Sequence, residues 1–152
     1  MGAAEHELLE GLSHAGYRLT RARRVVVEVL AAKAVHLSAE ELLAELWQAG
    51  ERISRASVYR ALGALEQAGL VERVGVPRGP ARFELIEPGA DGSRQSCHFI
   101  CGCCGRVIDV ASRRVRSLQQ AAQRQVDLPV ETCQVRLIGL CDQCRTKDGA
   151  GK

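Results

Sequence analysis

Apolar residues recur at helical spacing through the first 70 positions of the chain. In "EHELLEGLSHAG" they occupy positions 8, 9, 12 and 15, so they share one face of a helix. Similar stripes follow it along the chain. The pattern predicts four helices, at residues 5–16, 21–33, 39–50 and 55–69.

Residues typical of helix ends border these stripes. Ser38 and Glu41 form a capping-box pattern, in which each side chain would satisfy a backbone N–H of the first turn. Thr20 stands before the second helix, and either Ser54 or Ser57 before the fourth. Glycines close three helices at positions 16, 50 and 69.

A short hairpin is predicted after the helices. The segments "LVERVGV" and "ARFELIE" have strand character and flank the turn sequence "PRGP". Helices followed by a small hairpin form the plan of a winged helix-turn-helix.

The fourth predicted helix has two different faces. Val58, Ala61, Leu62 and Leu65 share the face that must be buried, whereas positions 56, 59, 60 and 63 lie opposite. On this opposite face Arg60 could contact guanine or phosphate, and the phenol at position 59 could contact a thymine methyl or a phosphate. The alternative is an ordinary exposed helix face, and the helix order, basic cluster and hairpin favour DNA binding.

The segment "EPGADGSR", residues 87–94, breaks both periodicities and is the best linker in the chain. Beyond it the pattern predicts strands in "CHFIC", "RVIDVA" and "VETCQVRLIGL" and a helix capped by Ser112. The expected fold class is α+β. Its predicted parts are a winged-helix domain, a hinge, a small α/β dimerisation domain and a flexible tail, at 1–87, 88–95, 96–145 and 146–152.

The composition and the charge distribution limit the classes of function that the chain can have. The net charge of +3 is too small to indicate nucleic acid by itself, but four arginines cluster between Arg18 and Arg24. No run of about 18 apolar residues occurs, and "MGAAEHELLEG" lacks the apolar core of a signal peptide. We therefore expect a cytoplasmic protein without a membrane partner, in which seven cysteines indicate metal or redox chemistry.

Four cysteines have the spacing of a metal site. Cys101 and Cys104 form one C-x-x-C pair, and Cys141 and Cys144 form another after 36 intervening residues. Two such turns present four sulfurs in the tetrahedral arrangement that suits Zn²⁺. With four sulfurs the ion has no open position, so the predicted zinc is structural, and a redox dithiol is the alternative. Cys103 falls outside this set, as a spectator or as an oxidisable thiol.

At this point the chain resembles the ferric uptake regulator family of bacterial metal-dependent repressors. The motifs are "GYRLTRAR", "HLSAEELLAEL", "ASVYRALGALEQAGLVERV", "RFEL", "HFICGCCGRVIDV" and "GLCDQC", and they cover about residues 8 to 145. The resemblance implies a homodimer with an N-terminal winged-helix domain, a C-terminal dimerisation domain, a structural Zn²⁺ and a regulatory metal near the hinge. Metal binding would close the DNA-binding domains onto a palindromic operator in double-stranded DNA.

The resemblance also implies individual roles. Tyr59 and Arg60 match a pair that contacts the major groove, and Arg18 matches a basic residue that enters the minor groove. The residues expected at DNA are Arg18, Arg23, Ser57, Tyr59 and Arg60.

The implied regulatory ligands are His36, Glu84 and His98, with Cys97 as a fourth ligand. Ser96 stands where the family usually has a histidine. Oxygen and imidazole ligands would suit Fe²⁺ or Mn²⁺, whereas a thiolate would favour Zn²⁺. A second family site is degraded, because Arg116 and Cys133 occupy two of its positions.

Two other functions stay open beside a repressor of metal-uptake or homeostasis genes for iron or zinc. A peroxide or redox sensor of oxidative-stress genes would use the metal site or the thiols at 97, 103 and 133. An adaptor with a degenerate sensory site is a further alternative. An enzyme is not expected, because no nucleophile–base pair emerges, and neither is a small organic substrate.

Overall fold

The structure is a computed structural model that describes residues 2–33, 36–86, 94–110 and 113–149. It divides into two compact units. The N-terminal unit comprises Met1–Gly75 and Pro80–Ile86, and the C-terminal unit comprises Val76–Gly79 and Glu87–Lys152. Within the described residues, no helix combines the length and the apolar character that crossing a membrane requires.

The N-terminal unit contains four helices and three strands, and each predicted helix is present. The elements are α1 (Ala3–His14), α2 (Arg21–Lys33), β1 (Leu37–Ser38), α3 (Ala39–Gln48), α4 (Arg55–Gln67), β2 (Val71–Val74) and β3 (Arg82–Leu85). The strands form an antiparallel sheet in the order β1-β3-β2. This is the winged-helix arrangement that the sequence predicts. The two-residue strand β1 was not predicted, because it exists only through its pairing with β3.

The core of this unit is almost entirely aliphatic. Side chains from all four helices and from β2 expose less than 2% of their surface to solvent. Among the largest are Leu12, Val26, Leu42, Leu46, Val58, Leu62, Leu65 and Val71. The predicted inner face of α4 is therefore buried, and its other face is free to serve a partner.

Local capping agrees with the predicted helix ends. Glu41 N–H donates to Ser38 Oγ (3.2 Å), and Ser38 N–H donates to Glu41 Oε2 (2.8 Å), which completes the capping box of α3. For α4 the cap is Ser54, whose Oγ accepts from Ser57 N–H (3.2 Å). Gly50 ends the turn after α3 with φ +82°, a value that glycine adopts without steric cost.

The C-terminal unit is a three-stranded sheet with two helices. Its elements are β4 (Arg94–Cys101), β5 (Val107–Asp109), α5 (Arg113–Val126), β6 (Thr132–Gly139) and α6 (Asp142–Gly149). The sheet order is β5-β4-β6, with β4 antiparallel to β5 and parallel to β6. The parallel pair follows from the crossover through α5, which packs on both strands. The whole chain is thus α+β, as predicted.

Two predicted boundaries differ from the observed elements. Residues 88–93 of the predicted hinge 88–95 lie outside the described residues, and its last two residues begin β4. The predicted tail 146–152 overlaps α6, which runs from Asp142 to Gly149 because Asp142 and the preceding Cys141 start a helical turn. The proposed cap at Ser112 lies outside the described residues.

Candidate metal centres and nucleic-acid interface

The four C-x-x-C cysteines come together in the C-terminal unit. The sulfurs of Cys101, Cys104, Cys141 and Cys144 all lie within 4.8 Å of one another, and those of Cys104 and Cys141 are 3.7 Å apart. The first pair sits in a turn closed by Gly105, which has φ +71° and donates its N–H to the Cys101 carbonyl (2.9 Å). The second pair lies at the start of α6.

The surroundings of Cys101 favour its thiolate. Backbone N–H groups of Cys104 and then Cys141, the latter at 3.4 Å from the Cys101 sulfur, lower the pKa of Cys101 to about 6. The pKa of Cys144 is raised instead, first by its hydrogen bond with Cys141 and then by burial. A divalent ion would hold all four sulfurs as thiolates. Four convergent sulfurs with N–H donors already in place fit Zn²⁺.

A histidine and a carboxylate meet in the N-terminal unit. The Nε2 atom of His36 lies 2.5 Å from Glu84 Oε2, and their side chains are only 8% and 17% exposed. His36 directly precedes β1, whose Leu37 pairs with Phe83 of β3. Continuing that antiparallel register by one residue places His36 opposite Glu84. The short strand β1 is therefore what brings these two predicted ligands together.

The C-terminal unit carries a second pair of the same kind. His98 of β4 and Asp109 of β5 are direct cross-strand partners, and His98 Nε2 lies 3.5 Å from Asp109 Oδ1. The His98 side chain is 4% exposed, whereas that of Asp109 is 69% exposed. Asp109 was missed by the sequence analysis. The sequence offers one clue, an acidic residue in the short predicted strand that follows the strand of His98. Only the register of β4 with β5 shows that Asp109 lies opposite His98.

Cys97 takes a different position from the one expected of a fourth regulatory ligand. Adjacent residues of a strand point to opposite faces, so Cys97 lies on the other face of β4 from His98. It is 8% exposed, and burial together with the neighbouring Cys133 raises its pKa. Asp109, rather than Cys97, is the group beside His98. Arg116 lines an open groove along α5 with Gln119 and Gln123.

The residues expected at DNA belong to the N-terminal unit. Tyr59 is 48% exposed, and Arg60 is also exposed on the outer face of α4. A guanidinium N–H of Arg60 donates to Ser57 Oγ (3.0 Å), which orients the side chain along the helix. Arg23 donates to the Arg18 carbonyl (2.6 Å). It also stacks over the Tyr17 ring at 5.1 Å, which holds its charge close to the exposed Arg18.

These features define a class: winged-helix proteins that carry a four-cysteine cluster on a separate α/β unit and one imidazole–carboxylate pair in each unit. The family model of the ferric uptake regulator family matches residues 14–138. The ferric uptake regulation protein of Yersinia pestis is 33% identical over 144 residues, which are 93% of this chain and 94% of that protein. This chain therefore belongs to the ferric uptake regulator family.

Two further relatives show the range of the similarity. The peroxide-responsive repressor PerR of Staphylococcus aureus is 26% identical over 146 residues, covering 94% of this chain and 95% of that one. The structure of the ferric uptake regulator from Pseudomonas aeruginosa with manganese has a TM-score of 0.75 and 29% identity, covering 93% of this chain and 99% of that chain. By name these relatives are regulators or repressors, which supports the interpretation that the chain is not an enzyme.

Proposed function

We propose that this chain is a metal-responsive repressor that binds double-stranded DNA as a homodimer and controls metal-uptake or homeostasis genes for iron or zinc. The observation that carries the proposal is that each unit of a winged-helix family member presents one buried histidine beside a carboxylate. His36 and Glu84 form one half of the sensory site, and His98 and Asp109 form the other.

The four donors proposed for the sensory site would set its metal preference. Two imidazole nitrogens and two carboxylate oxygens suit Fe²⁺ or Mn²⁺, and Zn²⁺ accepts the same set. A separate Zn²⁺, bound by the four cysteines, has a structural role. Because the two halves belong to different units, an ion that binds both favours one interdomain arrangement over the others. Metal binding then raises the affinity for DNA, provided that this arrangement is the one that fits the operator.

The proposed homodimer would use the C-terminal unit. β6 lies at an edge of its sheet and exposes apolar side chains, among them Leu137 (46%) and Ile138 (65%). Leu118 of α5 (52%) and Leu128, two residues after the end of α5 (64%), are also exposed. An apolar sheet edge on a unit this small is typical of a surface that a second subunit covers.

Metal should control DNA affinity directly. Duplexes can be selected from a random-sequence pool with the Mn²⁺-loaded protein and then titrated with protein stripped of sensory metal but retaining its zinc. We expect the stripped protein to bind at least about 10-fold more weakly, within the usual range of allosteric coupling. Equal affinities at fixed salt would refute the proposal.

The outer face of α4 should determine which sequence is bound. Arg60→Ala is expected to weaken binding by about 1–3 kcal/mol and to relax base preference at one position, since a guanidinium can read a guanine edge. Arg145→Ala, an exposed arginine of the C-terminal unit, is the matched control. If both variants bind selected duplexes equally well, α4 does not read the DNA.

A peroxide sensor is the second candidate, and the similarity to PerR of Staphylococcus aureus favours it. The two functions differ in what peroxide does to the Fe²⁺-loaded protein. A peroxide sensor would lose DNA binding at low peroxide together with a mass increase on His36 or His98. A metal-uptake repressor would keep both its mass and its DNA affinity under that treatment.

A further inference from the structure

The main chain at His36 is bound by a side chain of the neighbouring strand. Arg82 of β3 lies opposite Ser38 in the register of β1 with β3. A guanidinium N–H of Arg82 donates to the carbonyl oxygen of His36 (3.0 Å). Strand β1 has only two residues, and His36 directly precedes them. This hydrogen bond therefore ties His36 to β3 beyond the end of the paired residues.

The same strand also meets the side chain of His36. Side chains alternate along a strand, so Arg82 and Glu84 lie on the same face of β3. The Glu84 carboxylate lies beside the His36 imidazole, and the Arg82 guanidinium lies at the His36 carbonyl. One strand thus contacts His36 at two points, the ring and the main chain. Fixing both points limits how far the ring can turn away from Glu84.

Glu41 holds the Arg82 guanidinium in this position. Its Oε2 atom accepts from Nη1 of Arg82 (2.8 Å) and its Oε1 atom accepts from Nη2 (3.3 Å). A bidentate pair of this kind fixes the orientation of the guanidinium plane. The Glu41 carboxylate also offsets a positive charge that would otherwise oppose a metal cation beside His36. Since Glu41 belongs to the capping box of α3, the first turn of that helix anchors Arg82.

We propose that Arg82 is a positioning residue of the sensory site, which fixes the main chain of His36 so that the imidazole and Glu84 stay in the arrangement that binds the metal. This inference rests on the proposed function, because it takes His36 and Glu84 as ligands of the sensory ion. Replacing a group that orients metal ligands typically lowers the metal affinity by about 10–100-fold. Arg82 acts in this way without touching the ion.

The sign of the effect separates positioning from charge. Arg82→Met removes a positive charge near the site, so electrostatics alone would strengthen the binding of a cation. Positioning gives the opposite result, a weaker site. Arg82→Lys retains the charge, but a single ammonium does not reproduce the planar guanidinium fork between Glu41 and the His36 carbonyl. We therefore expect both variants to bind the sensory metal more weakly than the wild type.

The test uses the full-length zinc-loaded protein without sensory metal, titrated with Mn²⁺ while the electron paramagnetic resonance signal of free Mn²⁺ is recorded. Arg82→Met should bind Mn²⁺ at least about 10-fold more weakly than the wild type, with Arg82→Lys in between. Glu41→Gln should also weaken binding, and it should add no further loss to Arg82→Met, because the two side chains act through one contact. An Arg82→Met affinity equal to or above that of the wild type would overturn the proposal.

Arg55→Met is the matched control for the loss of an ion pair. Arg55 pairs with Glu40 (3.0 Å), which neighbours Glu41 in the first turn of α3, and this variant should bind Mn²⁺ as the wild type does. The capping box of α3 uses Ser38 and Glu41 alone, so Arg82→Met should keep the thermal transition of Arg55→Met. An equal loss of Mn²⁺ affinity in both variants would assign Arg82 a general structural role instead.

His36→Ala distinguishes failure of this inference from failure of the proposed function. If His36→Ala binds Mn²⁺ as tightly as the wild type, His36 is not a ligand and the sensory site itself is refuted. If His36→Ala loses Mn²⁺ affinity and Arg82→Met does not, the sensory site stands and the positioning role of Arg82 is wrong.

Discussion

A chain carrying Cys101→Ser is expected to lose its tightly bound zinc and, with it, the folded C-terminal unit. The buried cluster around the site consists of Cys101, Cys141 and Cys144, with Phe99 packed against it. Little apolar core therefore remains to hold this end of the unit without the ion. Structural zinc sites contribute about 10–16 kcal/mol in small peptides, which is as large as the whole stability of a typical domain.

Metal analysis and thermal unfolding followed by circular dichroism would measure this effect. The zinc content should fall from one per chain to near zero, and light scattering should show loss of the proposed dimer. The helical N-terminal unit, which has its own aliphatic core, should keep a cooperative transition. Cys133→Ser serves as the control with unchanged zinc content. Full zinc and an unchanged transition in Cys101→Ser would show that the four cysteines do not hold a structural ion.

The second large effect is expected when either buried histidine of the proposed sensory site is removed. His36→Ala and His98→Ala should each abolish the response of DNA affinity to Mn²⁺, a loss of up to about 100-fold at saturating metal. Each variant leaves a carboxylate without its imidazole partner and removes one of four donors. Zinc content should stay at one per chain, because the thiolate site is separate.

Controls for this experiment come from the same chain. His14→Ala changes an exposed histidine at the end of α1 and should behave as the wild type. Asp109→Asn should reduce the metal response, whereas Cys97→Ser should not, because Asp109 lies beside His98 and Cys97 lies on the opposite strand face. The reverse result would restore Cys97 as the fourth ligand. An unchanged response in the His36→Ala, His98→Ala double variant would favour an adaptor with a degenerate sensory site.

Much of the fold could be predicted because the relevant signals are local. The helices of the N-terminal unit have regular apolar stripes and caps such as the Ser38–Glu41 box, which act within a few residues. The hairpin has its own turn sequence. By contrast, β1 is two residues long and has no pattern of its own, and α6 is a polar helix without an apolar stripe. Neither could be predicted from periodicity.

The sequence by itself indicated the four ligands of the cysteine site, because each C-x-x-C turn places its own two sulfurs locally. The parallel register of β4 with β6, which sets Cys101 opposite Gly139, then brings the two turns together. Tertiary structure alone decided the partners of the histidines. His36 meets Glu84 through the register of β1 with β3, and His98 meets Asp109 through the register of β4 with β5. Such pairings depend on contacts between residues far apart in the chain. The alternation of side chains along β4 then separates Cys97 from His98, although the two are adjacent in sequence.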